Sequence, residues 1–73
     1  MRLEDKIGKS LKKHRKNMGL SQEELAHRCN LDRTYISMLE RGLRKPTVQT
    51  IFSLCRELNI KPSDFIKEVE EGY

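Results

Sequence analysis

No stretch of this sequence is rich in glycine or proline; its four glycines and two prolines are scattered, and there is no internal repeat. Collagen-like, low-complexity and solenoid architectures are thereby excluded. No apolar run approaches the roughly 20 residues that a membrane-spanning helix needs. The opening segment, Met1-Arg2-Leu3-Glu4-Asp5 and on to Lys16, is charged every few residues. No apolar core of a secretory signal follows it, so a cytoplasmic protein is expected. Cysteine is nearly absent as well. Cys29 and Cys55 are far apart, and without an export signal a disulfide is not expected. Both fall at apolar positions of predicted helices and read as buried thiols. A metal site would have to recruit His14 and His27, yet His27 and Cys29 are two positions apart on one helix and do not face each other. No metal is expected. Neither histidine has a serine or cysteine nucleophile at a meaningful spacing, and no glycine-rich phosphate cradle occurs. An enzyme, a cofactor and a small-molecule ligand are therefore not expected, and both histidines read as solvated or phosphate-adjacent.

What is present is charge, unevenly placed. The net charge is +4 over 73 residues. Residues 1–16 hold seven Lys or Arg against two acids, residues 17–56 six against four, and residues 57–73 two against five. Such polarity suits a phosphate-facing side and a tail turned away from it, although a solvated helical surface could carry it too. A chain of this length forms one domain, 1–73, near the lower limit for a core that folds unaided.

The apolar spacing is helical throughout, without strand alternation. In helix 1, Leu3, Ile7, Leu11, Arg15 and Met18 recur at three- and four-residue intervals, and Gly19 ends the helix. Helix 2 opens on Ser21 with Glu24 three residues later, a capping box, and Leu20 and Leu25 supply its hydrophobic staple. Asp32 caps helix 3, which runs to Arg41 before Gly42; Ile36 and Leu39 point inward, and Arg33, Thr34, Ser37 and Met38 share the outer side. Thr47 caps helix 4, which buries Val48, Ile51, Phe52, Cys55 and Leu58 in some combination, with Leu54 partly inward. Pro62 begins helix 5, whose apolar side is Phe65, Ile66 and Val69, and residues 70–73 fray. The expected fold is all-α: five helices, with helices 2 and 3 forming a helix-turn-helix.

If helix 3 enters a major groove, its first turn reaches base edges. The guanidinium fork of Arg33 matches O6 and N7 of guanine, and Thr34 offers a hydroxyl and a methyl. Ser37 and Met38, one turn on, are the next base-contact candidates. Ser21 and Gln22 begin helix 2, where backbone amides can point at a phosphate; Gln22 could bond the phosphate or brace a recognition side chain. Arg41, Arg44 and Lys45 suit phosphates rather than bases, and Tyr35 could pack its ring inward and offer its hydroxyl to a phosphate. Arg15 and Glu40 each interrupt an apolar stripe. Charges there are rarely buried unless paired, so one ion pair joining helices 1 and 3 is expected.

The run Leu20-Ser21-Gln22-Glu23-Glu24-Leu25-Ala26, with Asp32 through Gly42 and then Arg44-Lys45-Pro46-Thr47, resembles the phage-repressor and Cro-like (XRE) helix-turn-helix family over nearly the whole chain. Arg15 and Glu40 match that family's interhelical salt bridge. Residues 30–37 are more narrowly similar to the controller proteins of restriction–modification systems. The resemblance implies a lambda-repressor-like domain and a homodimer on an inverted-repeat operator in double-stranded DNA, upstream of its own gene and an endonuclease gene. It implies base contacts from Arg33 and Thr34, contacts to the backbone or base edges from Gln22, Ser37 and Arg44, and a dimer interface at Phe65, Ile66 and Val69 of helix 5, about residues 62–70. Met38 departs from the controller pattern, in which a small residue is usual. A phage, plasmid or antitoxin-like repressor of the same fold is the nearest alternative. A helical protein-interaction domain without specific DNA binding is the more distant one.

Overall fold

The computed structural model describes residues 1–73 as five α-helices: α1 (Leu3–Asn17), α2 (Gln22–Arg28), α3 (Arg33–Glu40), α4 (Val48–Glu57) and α5 (Pro62–Gly72). No helix is long and apolar enough to cross a membrane.

Helices α2, α3 and α4 each start on a side-chain cap. Ser21 Oγ accepts from the Glu24 amide while the Glu24 carboxylate accepts from the Ser21 amide, closing the capping box. Asp32 caps α3 through the Thr34 amide, and Thr47 caps α4 through the Thr50 amide. The four junctions share one further device. Gly19, Asn30, Gly42 and Asn59 all have positive φ, between 56° and 74°. The next residue then sends its amide back across the end of the helix: Leu20 to the Arg15 carbonyl, Leu31 to Ala26, Leu43 to Met38 and Ile60 to Cys55. This is the six-to-one bond of a Schellman turn, which an apolar residue tucking beneath the helix commonly accompanies. Leu20 is buried, and Leu31 and Ile60 are half-buried; Leu43, after α3, stays outside.

One core joins the five helices: Leu11, Leu20, Leu25, Ala26, Ile36, Leu39, Ile51, Leu54, Cys55, Leu58, Phe65 and Val69. Helix α1 packs on α3 and α5, α2 on α3 and α4, and α4 on α5. Several details differ from the sequence expectation. Leu3 and Met18 are exposed, so the buried stripe of α1 is shorter than its apolar spacing. In α4, Ile51, Leu54, Cys55 and Leu58 turn inward, while Val48 and Phe52 stand in solvent at 71% and 58% exposure. Helix α5 continues to Gly72 rather than fraying from residue 70. Cys55 is buried, whereas Cys29 is only half-buried at the C-cap of α2, its thiol 3.7 Å from the Ser53 carbonyl.

Candidate nucleic-acid interface

Helix α3 is held from below and open above. Ile36 and Leu39 are sealed in the core at 0% and 1% exposure, which turns the opposite side of the helix outward. Arg33 and Thr34 in its first turn are exposed, and Ser37 and Met38 one turn later are half-buried. Neither the Arg33 guanidinium nor the Thr34 hydroxyl is engaged in a hydrogen bond or ion pair within the chain, so both remain available to an external partner.

The other end of α3 is tied down. Arg15 donates from Nε and Nη2 to the two Glu40 carboxylate oxygens at 2.6 and 3.0 Å, and from Nη1 to the Leu20 carbonyl at 2.8 Å. Gln22 Nε2 donates to Glu40 Oε1 at 3.0 Å. The Glu40 carboxylate therefore joins α3 to α1 and to the first residue of α2, while Arg15 also holds the turn before α2. Both charged side chains are nearly sealed, at 9% and 3% exposure, and bidentate geometry with further hydrogen bonds is what offsets the desolvation of such a pair. The backbones also meet closely. A Cβ on Gly8 of α1 would lie 2.5 Å from the Leu39 carbonyl oxygen, so only glycine permits this crossing. The mid-helix glycine was the signal available in the sequence, since glycine within a helix usually answers a packing need.

The segment after α3 is basic. Arg41, Arg44 and Lys45 are exposed without ion-pair partners, and the Arg44 guanidinium stacks 5.5 Å from the centre of the half-buried Tyr35 ring. Arg41 keeps a long contact, 3.4 Å, to the Ser37 carbonyl. Arg2, which sequence reasoning passed over, donates to the Gly42 carbonyl at 3.0 Å and pairs with Asp5 at 3.3 Å, bracing this segment from the start of α1. The hydrogen bond from Arg2 holds the Asp5 carboxyl below its ordinary range.

His14 is not solvated. Its Nε2 lies 2.9 Å from Glu68 Oε2, with Lys13 on the other carboxylate oxygen at 2.5 Å, and its ring meets Phe65. Burial alone would raise Glu68, but the hydrogen bonds from Lys13 and His14 outweigh it and hold the carboxyl at about 2. This cluster ties α5 to α1. Phe65 and Val69, expected at a dimer interface, are sealed in the core of the chain itself at 3% exposure each. Ile66, one position off that stripe, is outside at 44%. With Val48, Phe52 and Pro62 it lines an open apolar groove between α4 and α5, edged by Lys67 and Glu70.

Known proteins share this sequence pattern and fold. The helix-turn-helix family model matches residues 11–65. The chain is 36% identical over 67 residues to the control protein C.MunI of Mycoplasma sp, covering 90% of each chain. It is similar to the crystal structure of the restriction–modification controller protein C.AhdI from Aeromonas hydrophila, at 39% identity and a TM-score of 0.82 over 85% of this chain and 94% of that one. A second controller, C.Esp1396I, solved as a tetramer in complex with its natural 35 base-pair operator, is similar at 34% identity and a TM-score of 0.85, over 97% and 93% of the two chains.

Proposed function

The chain belongs to the helix-turn-helix family of DNA-binding regulators, and within it we propose a homodimeric transcription controller of the restriction–modification type. It acts in the cytoplasm as one domain, residues 1–73, and occupies an inverted-repeat operator that governs its own gene and an endonuclease gene. Helix α3 lies in the major groove. Arg33 and Thr34 read base edges, with Ser37 and Met38 completing the contact. Ser21, Gln22, Tyr35, Arg41, Arg44 and Lys45 hold the sugar–phosphate backbone on either side.

The observation that carries this reading is the asymmetry of α3. Its first turn is exposed and internally unpartnered, while its last residue is bound to α1 and α2 through Glu40. A reading helix needs that combination, because bidentate recognition of a base tolerates little movement of the helix that presents it. Gln22 stands closest to both roles: its amide braces Glu40, and its position opens the N-terminus of α2.

The second copy docks on the groove between α4 and α5. Val48, Phe52 and Ile66 supply the apolar contact, in place of Phe65 and Val69, which the chain uses for its own core. In a two-fold interface the same patch meets itself, so Lys67 of one copy can face Glu70 of the other at the rim. The C.Esp1396I tetramer on its operator supports a self-associating reading.

Selection of bound duplexes from a random library, with the solution mass measured in parallel, tests the proposal. Two inverted half-sites about 34–36 Å apart and a dimeric mass are expected. Ile66→Glu should yield a folded monomer with weakened operator binding. A monomeric wild-type chain, or no enriched motif at low salt, would overturn it.

A further inference from the structure

Helix α1 carries a row of lysines that the contacts above leave unused. Lys9, Lys12 and Lys16 follow at three- and four-residue spacing and so share one face of the helix, and all three are exposed. The inward face is taken by Gly8, Leu11 and Arg15. None of the three lysines has a carboxylate within ion-pair distance. Their neighbours differ: Lys13 is paired with Glu68, and Lys6 lies against Gly72 of α5. Asp5 is already occupied by Arg2. Like charges at this spacing repel one another, and a solvated helix face usually interleaves acids among them.

The place of the row matters as much as its charge. Lys12 and Lys16 flank Arg15, whose guanidinium reaches Leu20 and Glu40, and Glu40 in turn holds Gln22. Lys16 lies in the last turn of α1, directly before the turn to Ser21. Along the chain the row thus leads toward Ser21 and Gln22, to which the reading above gives phosphates. From Lys9 to Lys16 it spans roughly 10 Å at about 1.5 Å per residue. One strand of B-DNA passes about three nucleotides in that distance at about 3.4 Å each.

We infer that Lys9, Lys12 and Lys16 extend the DNA interface, holding phosphates of the duplex that flanks the half-site read by α3. The inference rests on the DNA-binding reading. It is carried by charge complementarity, by the exposure of an unpaired lysine row and by its nearness along the chain to Ser21 and Gln22. Contacts to phosphates carry no sequence information, so the row adds affinity and salt dependence while leaving selectivity to α3.

The test is the triple variant Lys9→Gln, Lys12→Gln, Lys16→Gln in the full chain, compared with Lys61→Gln, which neutralises an exposed lysine at the α4–α5 turn. Affinity for the selected duplex is measured against salt, with phosphate-ethylation interference mapped on the same duplex. The triple variant should lose about 0.9 of salt slope for each contact removed. It should also lose interference at flanking phosphates while selecting the same motif and keeping the wild-type melting temperature. Lys61→Gln should match wild type. An unchanged slope with unchanged flanking interference would overturn the inference, as would a loss of binding to an acidic protein surface with none to DNA. Wild-type binding without sequence preference would overturn the operator reading alone, because the slope difference is readable on any duplex.

Discussion

Arg15 and Glu40 meet across the α1–α3 junction in a two-pronged ion pair, Nε to Oε2 at 2.6 Å and Nη2 to Oε1 at 3.0 Å, with both side chains almost out of water. Remaining polar capacity is used nearby, by the Leu20 carbonyl on the arginine and the Gln22 amide on the glutamate. The pair is the strut beneath the exposed turn of α3.

Removing one partner leaves a buried charge without its counterion, which costs about 3–5 kcal/mol. Arg15→Ala and Glu40→Ala should each lower the unfolding free energy by that order in urea denaturation. Operator affinity should fall indirectly, through both the lost folded fraction and the loosened end of α3, with the preferred bases unchanged. Unchanged unfolding in both variants would refute the strut.

Gly8→Ala should destabilise the chain by about 1–3 kcal/mol, the usual cost of overpacking. The added Cβ meets backbone carbonyls of Leu39 and Glu40, which cannot rotate away as a side chain would. Thermal melting reads the loss. A stabilising effect, as at an ordinary mid-helix glycine, would show that the helices do not approach this closely.

Arg33 and Arg44 should separate in their effects on DNA. Arg33→Ala should cost about 1–3 kcal/mol of discrimination at one base position. Arg44→Ala should weaken all sequences alike and reduce the salt slope by about 1. Competition binding with single-base operator variants distinguishes them. Equal behaviour of the two variants would refute the division between base and backbone contacts.

Glu68 links stability to acid. Its carboxyl is held at about 2, below the ordinary 4.5, so its interactions stabilise the fold fully above pH 4.5 and are lost as pH falls toward 2. Glu68→Gln should therefore be less stable than wild type at neutral pH, with the gap narrowing between pH 4.5 and 2. A constant gap across that window in pH-dependent denaturation would show that the Lys13–Glu68–His14 cluster does not act through charge.

The helix ends and the exposed first turn of α3 were legible because their determinants are local. Ser21 with Glu24, Asp32 and Thr47 lie within three residues of the amides they cap, and Gly19 and Gly42 adopt positive φ at the helix ends they mark. Arg15 and Glu40 were legible for a different reason: a charge inside an apolar stripe demands a partner, and the chain offered one of opposite sign on each of two helices. Helix α4 was not legible in this way. It carries apolar residues on more than one side, and periodicity cannot rank Val48 and Phe52 against Ile51 and Leu54 until neighbouring helices claim one face. The resemblance grouped Phe65 and Val69 with Ile66 at an interface, whereas the chain buries the first two in its own core and exposes only Ile66.

Five helices, the caps of α2, α3 and α4 and the outward residues of α3 were readable from spacing within a turn or two, and the family resemblance from motifs spread over nearly the whole chain. Tertiary packing alone decided the rest. It set Gly8 against the end of α3, gave Gln22 to Glu40, drew His14 to Glu68, and left Val48, Phe52 and Ile66 in solvent. Those contacts join segments distant along the chain, and which side chains meet depends on how whole helices cross, a quantity no local pattern encodes.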